Sequence, residues 1–498
     1  MNYILGIDIG TGSTKAVAVG ADHLAFDSSQ NFYPTNIPHP GYSEQDPELI
    51  WQAFQQCIEV MVTKLKSNPQ AVSLSSAMHS VIPVDEQCNA LAPMMTWADS
   101  RSSGVADRLL SGSSGMELYR VTGTPVHSMS PLCKIIWIRE NQPEFFKTVY
   151  KFISIKEYIW YRLFGTFEID HSIASCTGLM EVETLKWSGQ ALTAAGITAA
   201  QLSALVSTTY IRKHLNSSLP FLEQGTPFVI GASDGCMANL GTGAITPGIA
   251  ALTIGTSGAL RVASNQAFFN EKAMTFSYRL DEDIFINGGP VNNGGIALKW
   301  HLKNMLGKAD LTEEDFSAAL GRIETIVPGA EGLLFLPYLQ GERAPIWDSD
   351  SCGTFFGLRL THQQPHFTRA VIEGICFALN DVLQALTASG QPVTQLNVSG
   401  GFVSSKIWLQ IMADITGKKL VLATSEDASA VGAAYLAVKA IGLSATYPMP
   451  SRKEEIIILP DEINHQRYQT YFALYQKLYQ NLKGLMHEVH DLQNKLSS

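Results

Sequence analysis

The chain has 498 residues, of which 46% are apolar, enough for two or more domains that each bury their own core. Its formal charge of −10 argues against nucleic acid as the main partner, because binding a phosphate backbone wants a basic face. Seven scattered cysteines without a C-x-x-C pair, the lack of a basic leader and the lack of any run of about 18 apolar residues predict a reduced, cytoplasmic protein that spans no membrane.

In chain order, residues 4–9 and 15–19 read as two short apolar strands joined by the polar turn Gly10, Thr11, Gly12, Ser13, Thr14. An apolar run that ends on a carboxylate, Asp8, and then a glycine-rich turn suits a polyphosphate. Glycines allow positive φ and close backbone approach, N–H groups and hydroxyls donate, and the acid can hold a metal ion. A third strand is expected over 23–27 and a loop over 34–45. Asp46-Pro47-Glu48 then supplies an N-cap, a proline at the first helical position and a first-turn acid. The helix runs on through Ile50, Trp51, Phe54, Ile58, Met61 and Leu65 at helical spacing. Residues 71–77 alternate like a strand and end at Met78-His79-Ser80. Thr96-Trp97-Ala98-Asp99-Ser100-Arg101 follows, then a helix to about 111. Further helices are expected from Ser130-Pro131 and over 153–164, and a functional loop over 166–180 with Asp170, His171, Ser172 and Thr177. Pro227–Asp234 repeats the opening design, a buried strand ending on Asp, before a small-residue helix over 235–243. Residues 245–248 (Ile-Thr-Pro-Gly) mark the best candidate domain boundary.

The second half opens on a copy of the first turn. Ile254-Gly255-Thr256 aligns with Ile9-Gly10-Thr11, and Ser257 continues it, without a carboxylate at the place of Asp8. Strands are expected over 273–279 and 283–287, a long helix over 366–388, and a strand running into the Gly400-Gly401 turn. A small-residue helix begins at Asp427, and a peripheral helical tail covers 463–496. Strands alternate with helices in both halves, which predicts a mixed α/β layer structure in each. Two related halves clamping one phosphate chain is the working expectation.

Neither well-known nucleotide motif applies. G-x-x-x-x-G-K-[ST] fails because Ala16 follows Lys15, and G-x-G-x-x-G fails because position 15 is Lys. Several candidates read two ways. Asp8 is a metal-holding carboxylate or a turn former. Asp234, between Ser233 and Gly235, is a helix cap or a general base within reach of a bound alcohol. His79 is a satisfied core histidine or a ligand contact. Trp97, Asp99 and Arg101 grip a polyol with an apolar face and a donor–acceptor pair, or form an ion pair beside a buried Trp. Gly400-Gly401 lies against a flat base or simply ends a strand.

Taken together, Asp8–Lys15, Met78-His79, Trp97–Arg101, Gly231–Asp234, Thr253–Ser257, Gly288-Gly289, Ser399–Gly401 and Ala428–Ala434 resemble the FGGY family of carbohydrate kinases, within the actin-like, ribonuclease-H-like ATPase superfamily. The resemblance covers roughly residues 1–445. It implies two actin-like α/β domains flanking a central cleft: 1–247 for the sugar, the first phosphate turn and the base; 248–445 for ATP; and 446–498 as a tail. By that match Asp234 is the general base and Asp8, with Asp234, holds Mg²⁺. Gly10, Thr11, Gly12, Ser13, Lys15, Gly255, Thr256 and Ser257 meet the phosphates, and Gly400 and Gly401 lie near the adenosine. His79, Trp97, Asp99, Arg101 and Asp234 meet the sugar. Within the family the segments 78–80, 96–101, 123–131, 152–158 and 169–175 are most similar to bacterial gluconate kinases. That implies ATP-dependent phosphorylation of the terminal hydroxyl of D-gluconate to 6-phosphogluconate. His79, Arg101, His127, Lys156 and His171 are then candidates to meet the sugar-acid carboxylate. Xylulose kinases share Met-His and Trp-x-Asp-x-Arg, so a pentulose or polyol kinase is the alternative. A non-catalytic actin-like nucleotide switch is the reading from another class. The expected partner is a small sugar or sugar acid, with no nucleic acid and no membrane; a homodimer is compatible with the chain.

Overall fold

The computed structural model describes residues 2–216, 219–422, 427–450 and 456–497. The chain divides into two compact units, one of residues 1–246, 263–287 and 427–452, the other of 247–262, 288–426 and 453–498. The first break coincides with the Ile245–Gly248 boundary. Compactness otherwise departs from the linear halves, because 263–287 and 427–452 fold with the N-terminal residues.

The first unit is built on a six-stranded sheet in the order Ile211–Arg212, Phe228–Ser233, Val72–Ser76, Tyr3–Ile9, Ser13–Gly20, Ala25–Phe32. Tyr3–Ile9 is buried along nearly its whole length, which suits a central strand covered on both faces. It pairs antiparallel with Ser13–Gly20 and parallel with Val72–Ser76, which pairs parallel with Phe228–Ser233. The third strand starts at Ala25 and runs to Phe32, beyond the 23–27 expected. The helix Pro47–Leu65 starts where predicted, with the Asp46 side chain accepting from Glu48 N–H, and buries Ile50, Trp51, Phe54, Ile58 and Met61. The helix Ala428–Ala440 packs so closely on the sheet that a Cβ on Gly6 would lie 1.9 Å from the Ala430 carbonyl oxygen. That backbone-to-backbone approach is why a small-residue helix is needed there.

The second unit repeats the plan. Ile249–Ile254 pairs antiparallel with Gly258–Ser264 and parallel with Gln395–Ser399, which pairs parallel with Lys419–Leu422; Ile457–Ile458 adds an antiparallel edge. The helix Gln364–Ala388 is long and apolar enough to cross a membrane, but 78% of its most apolar stretch is buried. Arg369 and Glu373 sit on it as a buried pair. The C-terminal helix Glu462–Ser497 is not peripheral, as its polar, helical pattern suggested. Tyr468 and Tyr475 are buried in this core, and the Tyr468 hydroxyl donates to Glu373 at 2.7 Å. Residues 451–455 and 498 of the expected tail lie outside the described residues.

Candidate active site

In the first unit the opening hairpin closes on a tight turn in which Gly10 N–H donates to the Ser13 carbonyl at 3.0 Å. Gly10 and Gly12 do not adopt the positive φ expected of them. Gly12 supplies bare backbone, since a Cβ there would meet nothing within 4 Å, whereas a Cβ on Gly10 would lie 3.2 Å from the Ser13 carbonyl oxygen. The Thr11 hydroxyl accepts the Trp97 indole N–H at 3.0 Å, and the Ser13 hydroxyl accepts from Gln30 at 2.8 Å. Trp97 therefore abuts the turn. Asp8 ends its strand half-buried and accepts the Ser75 hydroxyl at 2.7 Å. Burial, then the neighbouring carboxylates Asp234 and Asp427, push its carboxyl up to about 7, against Ser75 and Lys15. Lys15 is in an ion pair with Asp427. Three carboxylates and one ammonium thus converge at the C-terminal end of the central strand Tyr3–Ile9.

Asp234 is the first residue of the helix Asp234–Gly241. Its Oδ1 accepts Gly235 N–H at 2.7 Å, and its carbonyl accepts the Ser429 hydroxyl at 3.1 Å. The strand before it is irregular. Gly231 has φ +75°, a Cβ there would lie 1.7 Å from the Leu74 carbonyl oxygen, and the register shifts between Val229 and Ala232. Only glycine fits that crossing.

The remaining candidates of this unit are held tightly. His79, at φ +68°, has Nδ1 2.8 Å from the Cys176 carbonyl oxygen and Nε2 3.4 Å from the Tyr278 hydroxyl. Asp99 is fully buried; it accepts Ser43 N–H at 2.8 Å and the Arg101 guanidinium at 2.7 Å. Arg101 also reaches Glu44 at 2.6 Å and lies 3.6 Å over the Tyr42 ring. Asp99 and Arg101 therefore satisfy each other. Lys156 pairs with Asp170 at 2.6 Å, both buried, while His127 and His171 are half-buried. The 166–180 segment, expected as a loop, is the strand Glu168–Asp170 and the short helix His171–Ser175.

Lys134 was not anticipated. It is fully buried, and its ammonium donates to the carbonyls of His79 at 2.7 Å, Thr96 at 2.6 Å and Met129 at 2.8 Å. Burial pushes it down to about 7, whereas the three acceptors call for the three donors that only –NH₃⁺ has. A lysine inside the apolar run Leu132–Ile136 was the signal available in the sequence.

In the second unit the copied turn closes one residue tighter, Gly255 N–H to the Ser257 carbonyl at 2.9 Å. It is backed by Gly295 N–H donating to the Gly255 carbonyl at 2.7 Å and Ile296 N–H donating to Thr256 at 3.1 Å. Gly400 has φ +99° and crosses the Ile254 carbonyl oxygen, where a Cβ would lie 2.2 Å away. A cavity of about 890 Å³ opens beside these turns, lined by Gly255, Thr256, Gly295, Lys299, Gly401 and Trp408 among others. It is the size and mixed polarity of a small-ligand site.

Two sheets of one duplicated plan, each with a glycine turn at the end of its first strand, define the actin-like sugar-kinase class of fold. Residues 3–241 match the model of the FGGY family of carbohydrate kinases, N-terminal domain, and 250–441 that of its C-terminal domain; the chain belongs to this family and is a carbohydrate kinase. It is 39% identical to a gluconokinase of Bacillus licheniformis over 100% of this chain and 99% of the relative, and 30% identical to a xylulose kinase of Bacillus subtilis (strain 168) over 97% and 98%. Among solved structures it is similar to a gluconate kinase of Lactobacillus acidophilus (TM-score 0.90, 34% identity, 97% and 98% covered). A ligand-bound xylulose kinase of the same organism gives TM-score 0.91, 33% identity and 97% and 99% coverage.

Proposed function

We propose that this carbohydrate kinase transfers the γ-phosphoryl group of ATP to the terminal hydroxyl of D-gluconate. The observation that carries the choice of substrate is the gap between 39% identity to a gluconokinase and 30% to a xylulose kinase, both over nearly full length. Asp234, at the start of its helix, accepts the proton of the attacking hydroxyl as general base. The loose transition state of phosphoryl transfer asks for positioned charge and donors and little covalent chemistry. The bare turns at 10–13 and 255–257, with Lys15 beside the first, offer those donors. The 890 Å³ cavity with Gly401 on its wall suits the nucleoside.

Among the described residues no group of three or more His, Cys, Asp or Glu side chains forms a metal cage. A half-buried carboxyl pushed up to about 7 beside two further acids nevertheless fits Mg²⁺, which binds through one or two carboxylates plus substrate phosphates. Asp8 and Asp234 would hold it, and the ion would neutralise phosphoryl charge. For the sugar carboxylate, Arg101, Lys134, Lys156 and His79 are already engaged inside the protein, and the half-buried imidazoles of His127 and His171 are the more accessible candidates. Trp97, half-buried against Thr11, offers an apolar face to the polyol.

One structural neighbour keeps a second reading in view, the xylulose kinase at TM-score 0.91. Coupled measurement of ADP release with gluconate, xylulose and glycerol separates the two. Gluconate should give the highest kcat/KM; faster turnover of xylulose would replace gluconate as the substrate. A panel without any sugar-stimulated turnover would overturn the assigned chemistry.

A further inference from the structure

A buried polar assembly holds the two residues that precede Asp234. Lys156, on the helix Ile155–Phe164, donates to the Ala232 carbonyl at 2.9 Å and pairs with Asp170 at 2.6 Å. The other oxygen of Asp170 accepts Ile173 N–H at 2.9 Å and so caps the short helix His171–Ser175. From that helix the Ser172 hydroxyl accepts Ser233 N–H at 3.1 Å and donates to the Ser233 hydroxyl, also at 3.1 Å. Both residues immediately preceding Asp234 are therefore held, one by its carbonyl and one by its amide and hydroxyl.

Two further observations give this assembly a purpose beyond stability. Ser233 stands at the N-cap of the helix Asp234–Gly241 yet makes no side-chain capping bond, because its hydroxyl is turned to Ser172. A serine normally caps in that place, so the usual stabilising contact has been given up for a lateral one. The strand is also irregular just upstream, where Gly231 breaks the register with Val72–Ser76. The ladder alone thus leaves the direction of Asp234 less fixed than a regular strand end would. Buried ion pairs are weak devices for stability, since apolar replacements of the same volume often do as well, but they do fix geometry.

We propose that Lys156, Asp170 and Ser172 are positioning residues that aim the Asp234 carboxylate at the accepting hydroxyl, an inference that rests on the reading of Asp234 as the base. Misplacement of a reacting group by about 1 Å costs on the order of a hundredfold in rate. The neutral double variant Lys156→Met/Asp170→Asn avoids leaving one buried charge unpaired, and Ser172→Ala removes only the contact to Ser233. Each should lower kcat about 10–100-fold while the KM values for sugar and ATP stay within about threefold. In an Asp234→Ala background the same changes should lower single-turnover rates by less than about twofold, because the group they aim is gone. A kcat within about twofold of the parent in Ser172→Ala and in the double variant overturns the proposal. So does an undiminished fold-loss in the Asp234→Ala background, which a merely structural role would produce. Near-parental turnover of Asp234→Ala by itself overturns the base reading instead, so the two failures are told apart.

Discussion

Lys15 and Asp427 form an ion pair across 412 positions of the chain, beside the C-terminal end of the central strand where Asp8 lies half-buried. The ammonium pairs with Asp427 and only partly offsets Asp8, whose carboxyl stands at about 7 against an ordinary 3.8. Between those values the folded protein holds a proton that the unfolded chain releases. The native state then binds more protons than the unfolded one, so the stability of the metal-free protein falls as pH rises through this window. The loss is at most about 4 kcal/mol, reduced by the solvent that reaches the half-buried group. Urea midpoints of metal-free protein at about pH 5 and about pH 7.5 should differ in that sense. Asp8→Asn should remove most of the difference, and adding Mg²⁺ with ATP should oppose it.

Replacing Asp234 with Ala should reduce kcat by at least about a hundredfold, at the low end of general-base effects, with little change in thermal midpoint. The small stability effect follows from its setting: its carboxylate accepts the adjacent Gly235 N–H but also repels the Asp8 carboxylate, so its removal costs one contact and relieves another charge. Steady-state rates with saturating ATP and sugar check this, and turnover near that of the parent would remove Asp234 from the role of base.

Lys134 joins three segments that are far apart in sequence, at His79, Thr96 and Met129, all bordering sugar-side candidates. Lys134→Met keeps the stem and removes three donors, leaving three buried carbonyls to find other partners. Each such loss costs about 1 kcal/mol or more, so a total of about 3–5 kcal/mol is expected in denaturant unfolding. Because Trp97 and His79 are attached to two of these carbonyls, the sugar KM should rise while the ATP KM changes little. Equal changes in both KM values would show that the lysine serves the fold generally.

The parts of the site that the sequence made legible are those encoded within a few residues. The turns at 10–13 and 255–257 announce themselves by a buried strand running straight into glycine and hydroxyl residues, and Asp234 by the same strand-to-Asp design. Of the two properties expected of the turn glycines, close backbone approach suits Gly12, which leaves the backbone bare, while positive φ is found instead at Gly231 and Gly400, where two backbones cross. Contacts made over long separations were not legible. Lys156 looked like an open cation, yet its partner Asp170 can be identified only once the chain has folded. For Arg101 the pair with Asp99, two residues away in sequence, is one of the two readings, and only Glu44 was out of reach. The same holds for 427–440, which belongs to the first unit because Ala430 lies against Gly6.

The C-terminal helix makes a last case of a distant contact with a measurable consequence. Its Tyr468 hydroxyl donates to Glu373 at 2.7 Å and accepts from Arg369 at 2.8 Å, inside the core of the second unit. Glu373 is buried, and desolvation holds its carboxyl above the ordinary range despite Arg369, so each donor to it matters. Tyr468→Phe keeps the ring against Phe377 and removes only the hydroxyl. Loss of a hydrogen bond to a buried charged group costs about 1.5–3 kcal/mol, which should appear as a lower denaturant midpoint at unchanged m-value. Kinase activity at low temperature should be retained, because Asp234 and the first turn lie in the other unit. Deleting the helix from residue 462 onward is a far larger change: it exposes the core that Tyr468, Phe472, Tyr475 and Tyr479 fill, and soluble, active enzyme should no longer be recovered. Recovery of active enzyme after that deletion would return the helix to the peripheral role expected of it from sequence.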